Sequence, residues 1–388
     1  DREMLTSPDI SQQDSSLINN VTELFLNHIS QFSLQNSQVI ILNDDKQRTF
    51  LFEELSWLNQ QDKHYAQGNV IVDGLISNTV KMQLSIEGES IQELSGQLYI
   101  KGSQLDITPW LDRVLAISPD NVNSSVNFDA WLTLNKGQAQ SAIWQFGESQ
   151  IAWDVDTQKQ ELVISEGAVA LNFLPERKQV TFASNDLKIQ QSDVVWPDLS
   201  FRGFARPEAF GINLSALDIS AGMNLLPLIP LSSEQRQLFE SLAIKGQLSD
   251  IHFSQHGNSY RAASTLSNFN SKQVGGIPGV KNANANLVVR DGSFAVDFDA
   301  NEGELDFGSL FNRPIPYQSI ASKITGVISD DDWYVNVEKL ALTSSELQLD
   351  GSLQLSQYVE QPLNMALLAS ISYGDVQYAN HYYPEELM

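Results

Sequence analysis

No cysteine occurs among the 388 residues of this chain. That absence excludes disulfide bonds, thiolate metal sites and thiol nucleophiles together. It also excludes a small secreted fold stapled by disulfides, whereas a cytosolic or a periplasmic protein is compatible with it.

Basic residues are scarce. The chain has 23 Lys+Arg against 48 Asp+Glu, a formal net charge of −25. Such a charge opposes binding to nucleic acid and to anionic lipid headgroups, because both are polyanionic. The acidic residues are dispersed along the sequence, which is typical of a solvated polar surface.

Long apolar runs are also missing, although 42% of the residues are hydrophobic and suffice to form a sizeable core. The most apolar stretch, residues 223–231, is too short to span a bilayer and contains Pro227 and Pro230. The chain begins with Asp1, and we find neither a signal peptide nor a spanning segment in it.

Catalytic motifs are absent: there is no G-x-S-x-G, G-x-G-x-x-G, P-loop or H-E-x-x-H. His252 and His256 lie in a strand-like context, about 13 Å apart at ~3.3 Å per residue, too far to share a metal. Three consecutive acids at 330–332 lack the spacing of a calcium loop and predict a solvated turn. We therefore expect no enzyme activity, metal or cofactor. A polysaccharide-cleaving β protein stays open, because its carboxylates can be distant in sequence.

Period-two alternation is the dominant pattern that the sequence does contain. Apolar residues occupy every second position in runs at 82–86, 126–134, 151–155, 162–164, 169–173, 294–298, 333–337, 347–349 and 353–355. Alternate side chains of a strand point to opposite faces, so each run predicts an antiparallel strand with one apolar and one wet face. The chain is therefore predicted to be mainly β.

Turn and helix signals divide these runs. Asp291-Gly292 predicts a tight hairpin, and Asp350-Gly351 predicts a second turn. Short helices are predicted at 17–29, at 109–117 after an N-capping Thr108, and at 233–242. We expect three β units, 1–117, 118–230 and 231–388, joined in one continuous elongated sheet.

A Leu-Asp pair recurs after alternating runs, at Leu105-Asp106, Leu217-Asp218 and Leu305-Asp306. We interpret each pair as an exit from the sheet. Thr108 and Ser220, two residues after the first two aspartates, are expected to cap the next segment of the chain. The intervals are unequal, so this is a weak repeat and not a solenoid of fixed period.

Several segments resemble the AsmA-like family, in particular its large YhdP-type members. They are "SGQLYIKGSQLDITPWLDRVL" within 80–115, "FESLAIKGQLSDIHFS" at 239–254, the module at 264–326 with Pro278-Gly279 and Pro314, and "YYPEEL" at 382–387. The resemblance implies a long, bent sheet whose apolar side carries phospholipid acyl chains across the periplasm. It also implies that the chain is an internal piece of a longer protein, anchored in the inner membrane by a segment missing here.

A sheet with one apolar face must cover that face with another sheet, with helices or with a ligand, and few helices are predicted. The sequence therefore leaves two alternatives: an open lipid groove, or a β-sandwich that binds glycans or proteins. Twelve residues of the alternating runs are the candidate lining of the groove: Met82, Leu84, Ile86, Val126, Phe128, Leu132, Val169, Leu171, Phe294, Val296, Leu347 and Leu349.

Overall fold

The computed structural model describes residues 23–43, 46–72, 79–108, 122–155, 158–223, 233–275, 277–329, 332–359 and 361–382. The described residues are mainly β, as the alternation predicts, with 21 strands whose pairings are antiparallel. They divide into two compact units, Asp1–Pro207 and Glu208–Met388. The predicted boundaries at 117 and 230 fall outside the described residues, so the division into three units stays a prediction.

The N-terminal unit contains twelve of the strands, and from β1 to β6 each strand pairs with its successor. Their bounds are β1 Gln31–Asn43, β2 Lys46–Gln60, β3 Lys63–Val72, β4 Thr79–Glu87, β5 Ser95–Leu105, β6 Val122–Asn135, β7 Gln138–Phe146, β8 Ser149–Val155, β9 Gln158–Leu174, β10 Gln179–Gln191, β11 Val194–Val195 and β12 Leu199–Arg206. Strands β7 and β8 both lie between β6 and β9, so together they form one interrupted strand. A five-residue π-helical turn, Leu24–His28, precedes β1, and a 3₁₀ turn, Pro175–Arg177, follows β9.

The C-terminal unit is a simple meander of nine strands. Their bounds are β13 Ala209–Asp218, β14 Lys245–His256, β15 Ser259–Ser271, β16 Gly279–Arg290, β17 Ser293–Asp306, β18 Ile315–Ile328, β19 Trp333–Thr343, β20 Leu347–Gln357 and β21 Asn364–Gly374. The α-helices α1 (Ile219–Met223) and α2 (Ser233–Leu242) lie between β13 and β14, and 3₁₀ turns occupy Gly308–Leu310 and Val376–Tyr382.

The helix predictions have different outcomes. Helix α2 confirms the helix predicted at 233–242. Of the one predicted at 17–29, residues 17–22 lie outside the described chain and the rest forms only the π-helical turn. The helix predicted at 109–117 lies outside the described residues altogether.

Of the three predicted turns, one is wrong, and the one at 330–332 lies mainly outside the described residues. Asp291 and Gly292 form a two-residue hairpin loop between Arg290 and Ser293, and both have positive φ angles, 46° and 80°, as a type I′ turn requires. Asp350-Gly351, in contrast, lies inside β20. A Cβ on Gly351 would lie 2.7 Å from the Leu368 carbonyl oxygen of β21, so this glycine permits close approach of a neighbouring strand.

The Leu-Asp pairs do mark exits from the sheet, at the ends of β5, β13 and β17. The expectation that Ser220 caps the next segment is wrong, because Ser220 lies within α1 and Asp218 itself accepts the backbone N–H. The segment after Thr108 lies outside the described residues, so its capping stays a prediction. Asp106 Oδ1 accepts from Thr108 N at 3.0 Å, and Asp218 Oδ1 accepts from Ala221 N at 2.9 Å. Asp306 does the same for the amide of Gly308, at 2.9 Å.

Candidate functional site

An unbroken row of apolar residues crosses the N-terminal unit at right angles to its strands. Residues directly opposite each other in an antiparallel ladder share one face, so the register identifies the members of a row. Ten residues form this first apolar row: Phe32, Trp57, Ala66, Leu84, Leu98, Leu132, Ala142, Leu171, Phe182 and Gly203. Nine strand spacings of ~4.8 Å give it a length of about 43 Å.

The register places all eight predicted residues of the N-terminal unit on the face of this row. Leu84, Leu132 and Leu171 belong to the row itself. The parallel row beside it contains Met82 and Val169 together with Ile100, Ala130 and Trp144.

The other three follow by alternation along their strands: Ile86 in β4, and Val126 and Phe128 in β6. Ile86 and Val126 are buried, with exposed fractions of 6% and 8%. The other six predicted residues in this unit are half-buried.

A second apolar row crosses the C-terminal unit. Its nine residues, one from each strand, are Ile212, Phe253, Ala262, Val289, Phe294, Gly326, Val335, Leu355 and Met365. The predicted residue Phe294 belongs to this row, and Val296 lies on the same face, opposite Leu287 and Ile324.

Leu347 and Leu349 share that face by alternation with Leu355 in β20. Leu349 is opposite Leu342, a member of the buried cluster against which Leu347 packs. The register thus groups the predicted residues by face within each unit. Whether that face lines a groove stays a prediction.

No second layer of strands covers either row within the described residues. In each unit, strands in extensive contact are hydrogen-bonded neighbours in the sheet. A β-sandwich would bury its inner rows under a second sheet about 10 Å away, whereas nine of the ten residues of the first apolar row are only half-buried. The described strands therefore form one sheet layer per unit, and the sandwich alternative is not supported.

One end of the first row is closed by the π-helical turn. The ring centroids of Phe25 and Phe32 are 4.9 Å apart. Asn59 Nδ2 donates to three carbonyl oxygens at the turn, of Phe25 at 2.5 Å, Leu26 at 3.1 Å and Ile29 at 2.6 Å. His64 is fully buried beside Asn59, with Nδ1 2.7 Å from Asn59 Oδ1. This polar anchor fixes the turn to the ends of β2 and β3.

Several residues of the rows were missed by the sequence analysis, among them Trp57, Leu98, Trp144 and Phe182. The alternation of β5 and β7 was present but weaker, because glutamine, serine and alanine occupy many of its positions. Gly203 carries no apolar signal, and only the register places it in the row.

The opposite face of the N-terminal unit is polar and contains a broad depression with a volume of about 1090 Å³. Its lining is mostly glutamine, serine and aromatic: Gln31, Ser33, Ser56, Leu58, Tyr65, Gln67, Gln83, Ser85, Gln97, Tyr99 and Trp131, together with Phe32, Trp57, Ala66 and Leu84 of the first apolar row. Eleven of these fifteen residues belong to the polar face by the register of β1–β6.

Side chains for metal binding are not assembled in the described part of the chain. Among those residues, no three His, Asp or Glu side chains are placed to hold a metal ion. The imidazole of His252 instead lies 2.5 Å (Nδ1) from Asn213 Oδ1 on the neighbouring strand. None of the described helices is both long and apolar enough to traverse a bilayer.

Comparison with known proteins agrees with the resemblance seen in the sequence. A curated relative, the intermembrane phospholipid transporter YhdP of Escherichia coli (strain K12), is 21% identical over 397 residues. The alignment covers 97% of this chain but only 31% of that protein. No solved structure matches. The model of the YhdP protein family matches residues 3–388, so this chain belongs to the YhdP family.

Proposed function

We propose that this chain is a non-enzymatic segment of a lipid-transfer protein, in which phospholipid acyl chains lie along the apolar face of the sheet. The observation that supports it best is the first apolar row, which crosses ten strands without a charged or polar side chain and without a covering layer among the described residues. An acyl chain laid on such a surface gains about 0.8 kcal/mol for each CH₂ removed from water.

The surroundings of the apolar face fit this task. The net charge of −25 keeps the polypeptide soluble in an aqueous compartment. The related protein's name, intermembrane phospholipid transporter, describes the same activity in a chain about three times as long. We infer that the present chain works in the periplasm, as part of a longer protein anchored in the inner membrane, between the two membranes of a Gram-negative envelope.

Photo-crosslinking in cells tests the proposal with neighbouring residues of β4. A crosslinking amino acid at Met82, on the apolar face, is expected to capture phospholipid, identified by mass spectrometry of the adduct. The same amino acid at Lys81, which points to the opposite face, is the matched control and is expected to capture none. Equal capture at both positions, or none at Met82, Leu84 and Leu132, would overturn the proposal.

A charge in the row tests transport directly. Leu132→Asp places an unpaired carboxylate among apolar neighbours and is expected to stop lipid transfer, while Thr133→Asp on the opposite face leaves it unchanged. Thermal unfolding of both variants separates loss of transport from loss of fold. Normal transfer by a folded Leu132→Asp protein contradicts acyl chains on this face.

A further inference from the structure

The polar face of the N-terminal unit contains a strip without charge. Two adjacent rows cross β1–β6 on this face. Their twelve residues, the neutral strip, are Gln31, Leu58, Tyr65, Ser85, Gln97 and Thr133 in one row and Ser33, Ser56, Gln67, Gln83, Tyr99 and Trp131 in the other. Eleven of the twelve line the depression of about 1090 Å³.

The absence of charge from an exposed surface needs an explanation. Solvent-facing positions are where proteins ordinarily carry Lys, Arg, Asp and Glu. In this chain 18% of residues are charged, and the next row on the same face includes Glu54, Lys81, Lys101 and Asp129. The neutral strip is therefore a bounded feature rather than the general character of the face.

The glutamines of the strip are free to bind a ligand. Within the described part of the chain, none of Gln31, Gln67, Gln83 and Gln97 has a side-chain hydrogen bond to the protein, and all four are exposed. Each amide offers two donors and an acceptor, and the serine hydroxyls offer both. Such groups complement sugar hydroxyls, which also both donate and accept.

Aromatic rings lie at one end of the strip and are held in place. The centroids of Tyr99 and Trp131 are 5.5 Å apart. The Tyr99 hydroxyl donates to the Asp129 carboxylate, which also pairs with Lys101 Nζ at 3.5 Å. A ring fixed in advance loses little entropy when a ligand stacks on it. Flat aromatic faces beside amides and hydroxyls suit the apolar face and the polar rim of a pyranose ring.

We propose that the neutral strip binds an uncharged, linear glycan across strands β1–β6. The row of six residues spans about 24 Å, five strand spacings of ~4.8 Å, which fits an extended oligosaccharide better than a compact small molecule. An anionic ligand is disfavoured by the acidic chain and by the absence of Lys and Arg from the strip. An extended peptide ordinarily adds to a sheet at its edge, not on its face. The site lies opposite the apolar face, so it does not depend on the proposed lipid transfer.

Titration calorimetry of the purified chain with two uncharged probes, the hexasaccharides of N-acetylglucosamine and of glucose, tests this proposal. Binding of at least one is expected, weakened about tenfold by Gln83→Ala or by Trp131→Ala, equivalent to about 1.4 kcal/mol. Gln145→Ala, on the same face but outside the strip, is the matched control and leaves the affinity unchanged. Because Gln83 is exposed, its substitution tests the site even if the Trp131 variant is unstable.

Three outcomes would overturn the proposal: no heat of binding with either hexasaccharide, binding that Gln83→Ala and Gln97→Ala both leave intact, or capture of peptide rather than glycan by a crosslinker at Gln83. Lipid capture at Met82 together with no glycan binding would remove only this inference. Glycan binding without lipid capture would remove only the lipid proposal.

Discussion

At the scale of single residues, aspartates determine where the chain leaves the sheet. Each of three strands ends at a Leu-Asp pair whose carboxylate accepts the first free backbone N–H groups beyond the ladder. Asp106 also accepts the Ser124 hydroxyl at 2.9 Å, which ties the exit of β5 to the start of β6. Burial raises the pKa of Asp106, but hydrogen bonds from Thr108 and Ser124 outweigh this effect and hold the pKa below its ordinary value.

The fall in the free energy of unfolding at acid pH should depend on Asp106. A carboxyl group whose pKa is lowered in the folded state stabilises the fold above its unfolded pKa and loses that contribution as pH falls through the folded pKa. We expect Asp106→Asn to lower the free energy of unfolding at pH 7 by about 0.5–1 kcal/mol, within the range for hydrogen bonds at a partly exposed site. Urea unfolding from pH 7 to pH 2 should show the two proteins converging. Asp299→Asn, at an exposed strand position, is the control, and a constant difference at all pH values would contradict the assignment.

Tyr317 should contribute to the fall in the free energy of unfolding at alkaline pH. The side chain of Tyr317 is 3% exposed, and its hydroxyl donates a hydrogen bond to the Lys281 carbonyl oxygen. Burial, with a contribution from the charge of Glu304, raises the pKa of Tyr317 to about 12. A raised pKa in the folded state gives stability that is complete below the unfolded value and is lost as pH rises towards 12. Tyr317→Phe is expected to cost about 1 kcal/mol at pH 7 and to flatten the decline above pH 10. An unchanged alkaline slope would refute this, and Tyr373→Phe, at an exposed position, is the comparison.

At the scale of elements, a partly buried ion pair fastens the 3₁₀ turn Val376–Tyr382 to the start of β20. Glu346 is 8% exposed. Its carboxylate accepts hydrogen bonds from Arg313 Nη2 at 2.5 Å and from the Tyr382 hydroxyl at 3.0 Å. The guanidinium of Arg313 also lies 5.7 Å from the ring centre of Tyr378. One carboxylate thus joins three parts of the C-terminal unit.

Substitution of Glu346 should release this turn. Glu346→Gln leaves the Arg313 charge without its partner, and we expect amide hydrogen exchange in residues 376–382 to quicken about tenfold, a loss of ~1.4 kcal/mol locally. Mass spectrometry of the exchanged peptides measures it. The exposed pair Lys281–Glu304 provides the control, because Glu304→Gln should leave exchange in that peptide unchanged. Exchange that stays slow in Glu346→Gln would show that other contacts hold the turn.

The sequence predicts strands better than it predicts the connections between them. Alternation in β4, β6, β17 and β20 identified strands and grouped their apolar residues, because one-sided burial leaves a period-two pattern. The turn predicted at Asp350-Gly351 is wrong, because a glycine that permits close approach of a neighbouring strand cannot be told in the sequence from a glycine that forms a turn. The cross-strand partner of Val126 could not be predicted, because register depends on bulges such as that at Gln104, whose φ of 51° has no sequence signature. The same dependence on register hid the neutral strip, whose residues alternate with the apolar ones in each strand.

At the scale of the whole molecule, each described unit is a single sheet layer with two different surfaces, and β21 is the last described strand of the C-terminal unit. Strand β21 is paired with β20 on one side, and its apolar side chains are strongly exposed, Leu367 at 63% and Leu368 at 75%. Exposed apolar edges favour pairing between molecules.

Self-association of the purified chain should therefore involve β21. We expect the double variant Leu367→Lys and Leu368→Lys to raise the monomer fraction in light-scattering chromatography, because charge on an edge strand disfavours edge-to-edge pairing. A lysine at Gln354, on the adjacent β20, adds charge without altering the edge and serves as the comparison. If all three proteins associate equally, the contact lies elsewhere.

The hairpin-by-hairpin connectivity of the C-terminal unit also determines how that unit can fold. Each strand from β14 to β21 pairs with the strand before it in the chain, and every ladder after β13–β14, whose connection contains α1 and α2, closes only a short loop. Contacts that are local in sequence cost little closure entropy and form early. The sheet can thus grow in the order in which the polypeptide emerges, with each new strand docking on an edge already formed. A chain paused part-way through synthesis would hold a shorter sheet of the same design, to which the next strand can add.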